Sequence, residues 1–484
     1  MILRNLVLSD KNFRQELKNK LVSDRTIKSL TLCNISRRSS ISLDFLIGNN
    51  DNDSVSVNEE ATASTATGIE ELIVERCHLD SDGCKAIGQV LSSSSTKLKS
   101  FKMIHVTLLL NNENDDDDGD DSCITPIIDG INQAGRNGWL ESIDFQRIVT
   151  TTKPTPTTTM MVGSGNAQTQ LRRLFTSSFK NCINLRSLRL SDCNIGCRST
   201  STDDDDDNDD DDVHELANTI QKLLSQYGKL QSLDLCRNHI DGNGIEILLQ
   251  SGLSSYHDDH GGSTSSLKRL ILSHNPIGDD GAIHLSRFFS SSSRNNTSNS
   301  STSTDLMTPR KTSNTKIESI SLIDCDIWSP GCYILSKELK HFNTLRELIV
   351  DGEWEDHLDT IIESLNSTNV VLQHLSIHSQ SYYDDNEEKD DGNNNDYTII
   401  DQQWKQIDYY LALNRAKLRR LSTKQNLSFA LWPTVLKNMN NDNNNNNDIT
   451  TRKKNSNNNL YADVWYDVIR RRPELVASVS PSST

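Results

Sequence analysis

The sequence is short of the residues that fill a large interior. Over 484 residues only 34% are hydrophobic and 5% aromatic, so much of the chain consists of Asn, Asp, Ser and Thr tracts that cannot pack. No run of 18 apolar residues occurs, which leaves no candidate membrane span. The first residues place Arg4, Asp10 and Lys11 around a short apolar stretch and lack the apolar centre of a secretory signal. There are ten cysteines but no Cys-x-x-Cys pair and no disulfide framework, which points to a reducing compartment. The expected location is the cytoplasm, with the nucleus as the alternative. Catalytic constellations are missing too. Gly163-Ser164-Gly165 lies in low-complexity sequence and is no phosphate loop. His257-Asp258-Asp259-His260 has ligand-type side chains, but in a Gly/Ser loop without a rigid frame. Carboxylate pairs occur only in flexible tracts, where their geometry cannot be preorganised. No enzyme activity, cofactor or metal is expected. Basic residues are not interleaved with aromatics, so no nucleic-acid partner is expected either.

Negative charge is abundant but confined. The chain carries −17, and the tracts 113–121, 203–212 and 384–396 alone carry −7, −9 and −6. The remainder is therefore slightly positive, and the acidity belongs to insertions rather than to a folded face.

Against this background one pattern recurs. Residues 230–253 read LQSLDLCRNHIDGNGIEILLQSGL and residues 267–289 read LKRLILSHNPIGDDGAIHLSRFF. Leu230, Leu233, Leu235, Asn238, Ile240, Gly244 and Leu248 match Leu267, Leu270, Leu272, Asn275, Ile277, Gly281 and Leu285. Copies without gaps start at Ile69 and Ile317, with Cys77 and Cys325 at the Asn position, and a further unit starts at Leu185 with Cys193 there. Alternating apolar residues predict a short strand, the Asn or Cys a bend whose side chain serves backbone groups, and the following segment a helix. Ser329-Pro330 predicts an N-cap followed by proline at the first helical position. One such unit cannot bury its own apolar face, so the units must stack. Strands stack about 4.8 Å apart while helices need roughly 8–10 Å, which predicts an arc with the sheet inside.

These residues resemble the leucine-rich repeat family in its longer, ribonuclease-inhibitor-like form. The resemblance covers roughly residues 1–380 and implies an α/β fold. That fold is a curved leucine-rich-repeat solenoid with a parallel sheet on its concave face and helices on its convex face. The resemblance also implies a protein partner.

Residues 1–68 are expected to be an N-terminal cap or degenerate repeats, with Ile35 where Asn or Cys would stand, or the start of a truncated array. The solenoid is assigned to 69–380, with disordered polar and acidic insertions at 111–122, 150–168, 199–212, 254–266 and 290–316. Units at Leu98 and Leu140 carry Val106 and Ile148 at the bend; those at Leu345 and Leu372 keep the strand but lose the bend residue. Residues 381–396 read as a disordered acidic linker and 397–484 as a helical C-terminal region, which caps the array or docks another protein.

The expected function is a monomeric, non-enzymatic scaffold that binds a protein through the solenoid surface. Two alternatives are a regulator of a small GTPase, similar to Ran-type GTPase-activating proteins, and a ubiquitin-ligase substrate receptor. The C-terminal region is basic where the first group has an acidic tail, and no F-box precedes the repeats. The residue before each bend forms a column of Arg76, His105, Arg147, Asp192, Arg237, His274 and Asp324. Its cations Arg76, His105, Arg147, Arg237 and His274 are the candidate partner-binding stripe.

Overall fold

The computed structural model describes residues 2–4, 27–34, 69–93, 97–110, 124–152, 171, 173–195, 211–224, 228–253, 266–291, 316–351, 353–367, 369–378 and 394–415. Contacts divide the chain into two compact units, 1–327 and 328–484. Among the described residues no helix is long and apolar enough to cross a membrane.

In the first unit the repeats build one parallel sheet. Its strands are β1 (Ile2–Arg4), β2 (Ser29–Cys33), β3 (Glu71–Glu75), β5 (Ser100–Ile104), β7 (Ser142–Gln146), β9 (Ser187–Ser191), β10 (Ser232–Asp234), β11 (Arg269–Ile271) and β12 (Ser319–Leu322). Every strand lies beside those of the neighbouring repeats, as stacking of identical units requires. The register aligns the leucine positions: Leu30, Leu72, Phe101, Ile143, Leu188, Leu233, Leu270 and Ile320 face one another across the ladder. All are at most 2% exposed. A slip of one residue would turn this whole column to solvent, so burial fixes the pairing.

Four phenylalanines pack together in this core. Phe101 meets Phe145 edge-on at 5.8 Å between ring centroids, and Phe145 lies 6.2 Å from both Phe175 and Phe179. Helices α1 (Ser81–Ser92) and α2 (Thr125–Arg136) follow β3 and β5, and α3 (Asp211–Lys222) follows β9. Helices α4 (Gly242–Ile247), continued by a π-helical turn Leu248–Leu253, and α5 (Gly278–Ser291) follow β10 and β11. Asp80 and Asp241 cap α1 and α4, accepting from Gly83 N at 3.0 Å and Gly244 N at 2.9 Å. The glycine of the repeat serves close approach: a Cβ on Gly281 would lie 2.2 Å from Ile277 Cγ2, and one on Gly244 2.8 Å from Ile240 Cγ2.

The repeats from Ile69, Leu98 and Leu140 differ from the rest. After the bend their chains extend into β4 (His78–Leu79), β6 (Thr107–Leu110) and β8 (Val149–Thr152), which pair as a second parallel sheet. The strand thus takes in residues 150–152, which the sequence reading assigns to an insertion. Val106 and Ile148 carry no side-chain donor for the bend, and backbone pairing replaces it: Thr107 N donates to Cys77 O at 2.9 Å and Val149 N to Val106 O at 3.0 Å.

The second unit contains β13 (Glu347–Asp351) parallel to β14 (His374–His378). Its helices are α6 (Ser329–Glu338), α7 (Leu358–Ser367) and α8 (Asn394–Arg415). The cap of α6 is Trp328, not Ser329, and Cys332 N donates to its carbonyl at 3.0 Å. Ser329 Oγ lies 2.9 Å from His357 Nε2 instead. Leu372 is buried, whereas Leu375 and Ile377 are half-buried. Helix α8 approaches the start of β14: Asn414 Nδ2 donates to Leu372 O at 2.8 Å, and Arg415 Nη1 to Gln373 O at 3.2 Å. Helix α8 takes in residues 394–396, which the sequence assigns to the 381–396 linker; the rest of that linker and the expected helices beyond residue 415 lie outside the described residues.

Candidate functional site: the open face of the parallel sheet

In β3, β5 and β7 alternate side chains are buried and those between them are half-buried. The strand then ends in one left-handed residue. Asn34, Arg76, His105, Arg147, Asp192, Arg237, His274 and Asp324 have φ between +51° and +60°. Strict alternation would turn these residues inward with the leucines two and four places earlier. The positive φ breaks the alternation and leaves Arg76, His105, Arg147 and Arg237 exposed and His274 half-buried. Their amides continue the ladder: Arg76 N donates to Ile104 O, His105 N to Gln146 O, Arg147 N to Ser191 O, Asp192 N to Cys236 O, Arg237 N to Ser273 O and His274 N to Ile323 O, all within 3.0 Å. The column read from the sequence is therefore a physical row, one residue per strand.

The bend after this residue explains how the row is held. Asn275 Oδ1 accepts from Asn238 N at 2.8 Å and Ile240 N at 3.1 Å, and its Nδ2 donates to Leu235 O at 2.9 Å and Leu272 O at 2.6 Å. Asn238 repeats this one unit earlier, accepting from Cys193 N at 3.0 Å and donating to Leu190 O. The thiols do part of the same work: Cys193 Sγ donates to Phe145 O at 3.5 Å, Cys325 Sγ to Leu272 O at 3.4 Å and Cys77 Sγ to Leu32 O at 3.4 Å. Burial pushes the Cys193 thiol up and Cys182 up to about 12, so these sulfurs stay protonated and unreactive. Asn194, His239 and Asp326 are left-handed as well, one residue past the bend. Pro276, whose ring holds φ at about −65°, stands there in the repeat from Leu267, and Gly278 at +64° takes the left-handed place.

Between the row and the strand starts, the open face holds further in-register rows that the stripe reading does not include. Ser100, Ser142, Ser187 and Ser232 form one, and Lys102, Asp144, Arg189 and Asp234 form the next. One residue before the strands, Lys28, Glu70, Lys99, Glu141, Arg186, Gln231, Lys268 and Glu318 follow one another, joined by backbone hydrogen bonds of 2.7–2.8 Å. Their signs alternate almost throughout. Glu70 bridges Lys28 and Lys99, the latter at 2.7 Å, and these hydrogen bonds hold its carboxyl at about 2. The signal for these rows was present in the repeat alignment, at fixed offsets before the leucines, but only the register makes them contiguous.

The stripe is partly neutralised. Arg76 Nε lies 3.7 Å from Glu75, Arg147 Nε 3.8 Å from Asp192, and His274 Nδ1 3.0 Å from Asp324. His105 and Arg237 have no carboxylate within salt-bridge range among the described residues. Exposed pairs of this kind contribute little and are screened by salt, so they leave the cations available to a partner.

A family model described as leucine-rich repeat matches residues 181–196 and 264–286. The first match covers β9 with its bend, the second β11, its bend and the start of α5. Both matched segments are similar to leucine-rich repeats. The leucine columns, the Asn and Cys bends and the helical return fit that pattern in three dimensions. Leucine-rich repeat domains generally mediate protein–protein interaction and are generally non-enzymatic. A comparison with curated proteins finds no match.

Proposed function

We propose that this leucine-rich repeat protein is a scaffold that docks a protein partner on the open face of its first unit, with Arg76, His105, Arg147, Arg237 and His274 meeting acidic groups. The observation that carries this reading is the backbone of the row. Left-handed φ favours Gly and, among L-residues, Asn and Asp; it costs other residues about 1–2 kcal/mol. Arginine has no local advantage there, yet Arg76, Arg147 and Arg237 hold three of the eight places. Strain retained at a row of exposed cations points to a use for the side chains. Helical returns of the chain after β3, β5, β10 and β11 support the longer, ribonuclease-inhibitor-like form of the repeat. Spacing helices farther apart than strands makes the sheet the concave side. Helix α8 closes the end of the second unit, using Asn414 and Arg415 to satisfy backbone carbonyls at the start of β14.

A photo-crosslinking residue placed at Ser187, on the open face, or at Lys85, on the exposed side of α1, tests the docking surface in native extract. The expected result is a discrete adduct from Ser187 that is lost when Arg147 and Arg237 are both changed to Ala. An adduct from Lys85 alone would move the interface to the helices.

A further inference from the structure

Resting on the open-face reading, we infer that Asp144 receives a cationic side chain of the partner, a lysine or arginine set about 10 Å from the acidic groups that meet the arginine row. The pairing of β5, β7, β9 and β10 puts Lys102, Asp144, Arg189 and Asp234 in one line across the open face. Both cations beside Asp144 are engaged elsewhere. Lys102 Nζ lies 2.8 Å from Glu71, and Arg189 Nε lies 2.9 Å from Asp234, in a charge contact whose N–H is not aimed along it. Three carboxylates thus share two cations, and Asp144 is the one left over. Its own partner is neutral: Gln146 Nε2 donates to its two oxygens at 3.0 and 3.1 Å. The group is half-buried, and loss of water raises its carboxyl above the ordinary range despite Lys102 and Arg189 nearby, with Asp234 adding to the rise. A partly desolvated carboxylate with no cation upon it is a receptor for one.

The surroundings say what carries that cation. Ile73 precedes Lys102 and Ile271 follows Asp234 in the same row, so apolar shoulders flank the four charges. From Ile73 to Ile271 the row spans five strand spacings, about 24 Å, which suits a macromolecular segment rather than a small ligand. No group of three metal-ligating side chains occurs among the described residues. Arg147 and Arg237 stand three residues beyond Asp144 and Asp234, about 10 Å along the strands. The complementary surface is therefore a base and an acid at that separation, which is the rise of about seven helical residues.

The probe is an alanine-based helical peptide with Arg at its centre and Glu seven residues later, compared with the same peptide carrying neutral citrulline for Arg. Affinities are read by fluorescence anisotropy at low ionic strength. Wild type should prefer the arginine peptide by roughly tenfold or more, and Asp144→Asn should abolish that preference. Arg147→Ala with Arg237→Ala should weaken both peptides alike and leave the preference intact. An equal preference in wild type and Asp144→Asn overturns the proposal, as does the absence of binding to wild type. If Asp144→Asn changes nothing while the double arginine variant loses the peptide, the receptor falls and the open-face reading stands. If crosslinks also arise only from Lys85, both fall.

Discussion

Arg147 occupies a backbone conformation that glycine would fill at lower cost, with φ at +51°. Changing Arg147 to Gly relieves the clash of Cβ with the carbonyl at the expense of chain entropy when unfolded. Urea unfolding should show Arg147→Gly equal to wild type or more stable by about 1 kcal/mol, and Arg147→Val less stable by about 1–3 kcal/mol. A Val variant as stable as wild type would mean that the left-handed turn is not populated. Asn275 is the opposite case, a residue whose side chain the backbone requires. Changing Asn275 to Ala leaves the amides of Asn238 and Ile240 and the carbonyl of Leu235 without this partner, so about 2–4 kcal/mol should be lost. Asn275→Cys should cost less, because a thiol holds the equivalent place at Cys193 and Cys325. Equal losses in the two variants would show that packing, not hydrogen bonding, fixes this bend.

At the scale of the strands, the charged ladder at their entry has a predictable response to acid. Glu70 has its carboxyl lowered from 4.5 to about 2 by hydrogen bonds from Lys28 and Lys99. A depressed carboxyl contributes stability above its unfolded value and loses it as pH falls toward the folded one. The difference in urea midpoint between wild type and Glu70→Gln should therefore hold above about pH 4.5 and shrink between there and pH 2, more weakly in high salt. A difference that persists unchanged at pH 2 would contradict the pairing. The strands themselves were legible from the sequence because Leu233, Leu235, Asn238 and their counterparts repeat at fixed offsets. Bends at Cys77, Cys193 and Cys325 were legible for the same reason. The second sheet was not, although Val106 and Ile148 marked it: an apolar bend residue says what is missing, not which backbone groups replace it. The column itself was legible, but its left-handed conformation was not, because arginine and histidine do not announce a positive φ. Asp144 was hidden because its isolation depends on where Lys102 and Arg189 point, and that is set by neighbouring strands.

For the molecule as a whole, composition misleads about the open face. The net charge of −17 suggests an acidic protein, but the tracts that carry it fall mainly outside the described residues. The described open face instead alternates in sign along its rows, with arginines prominent at the strand ends. Selectivity on such a face comes from matching a pattern of charges rather than from total charge. The most direct test is the affinity of the crosslinked partner for wild type and for the variant with Arg76, Arg147 and Arg237 all changed to Ala, measured across ionic strength. Binding should be at least about tenfold weaker at low salt in the variant, with a flatter salt dependence. Equal affinity of the two proteins at low salt would contradict docking on the arginine row.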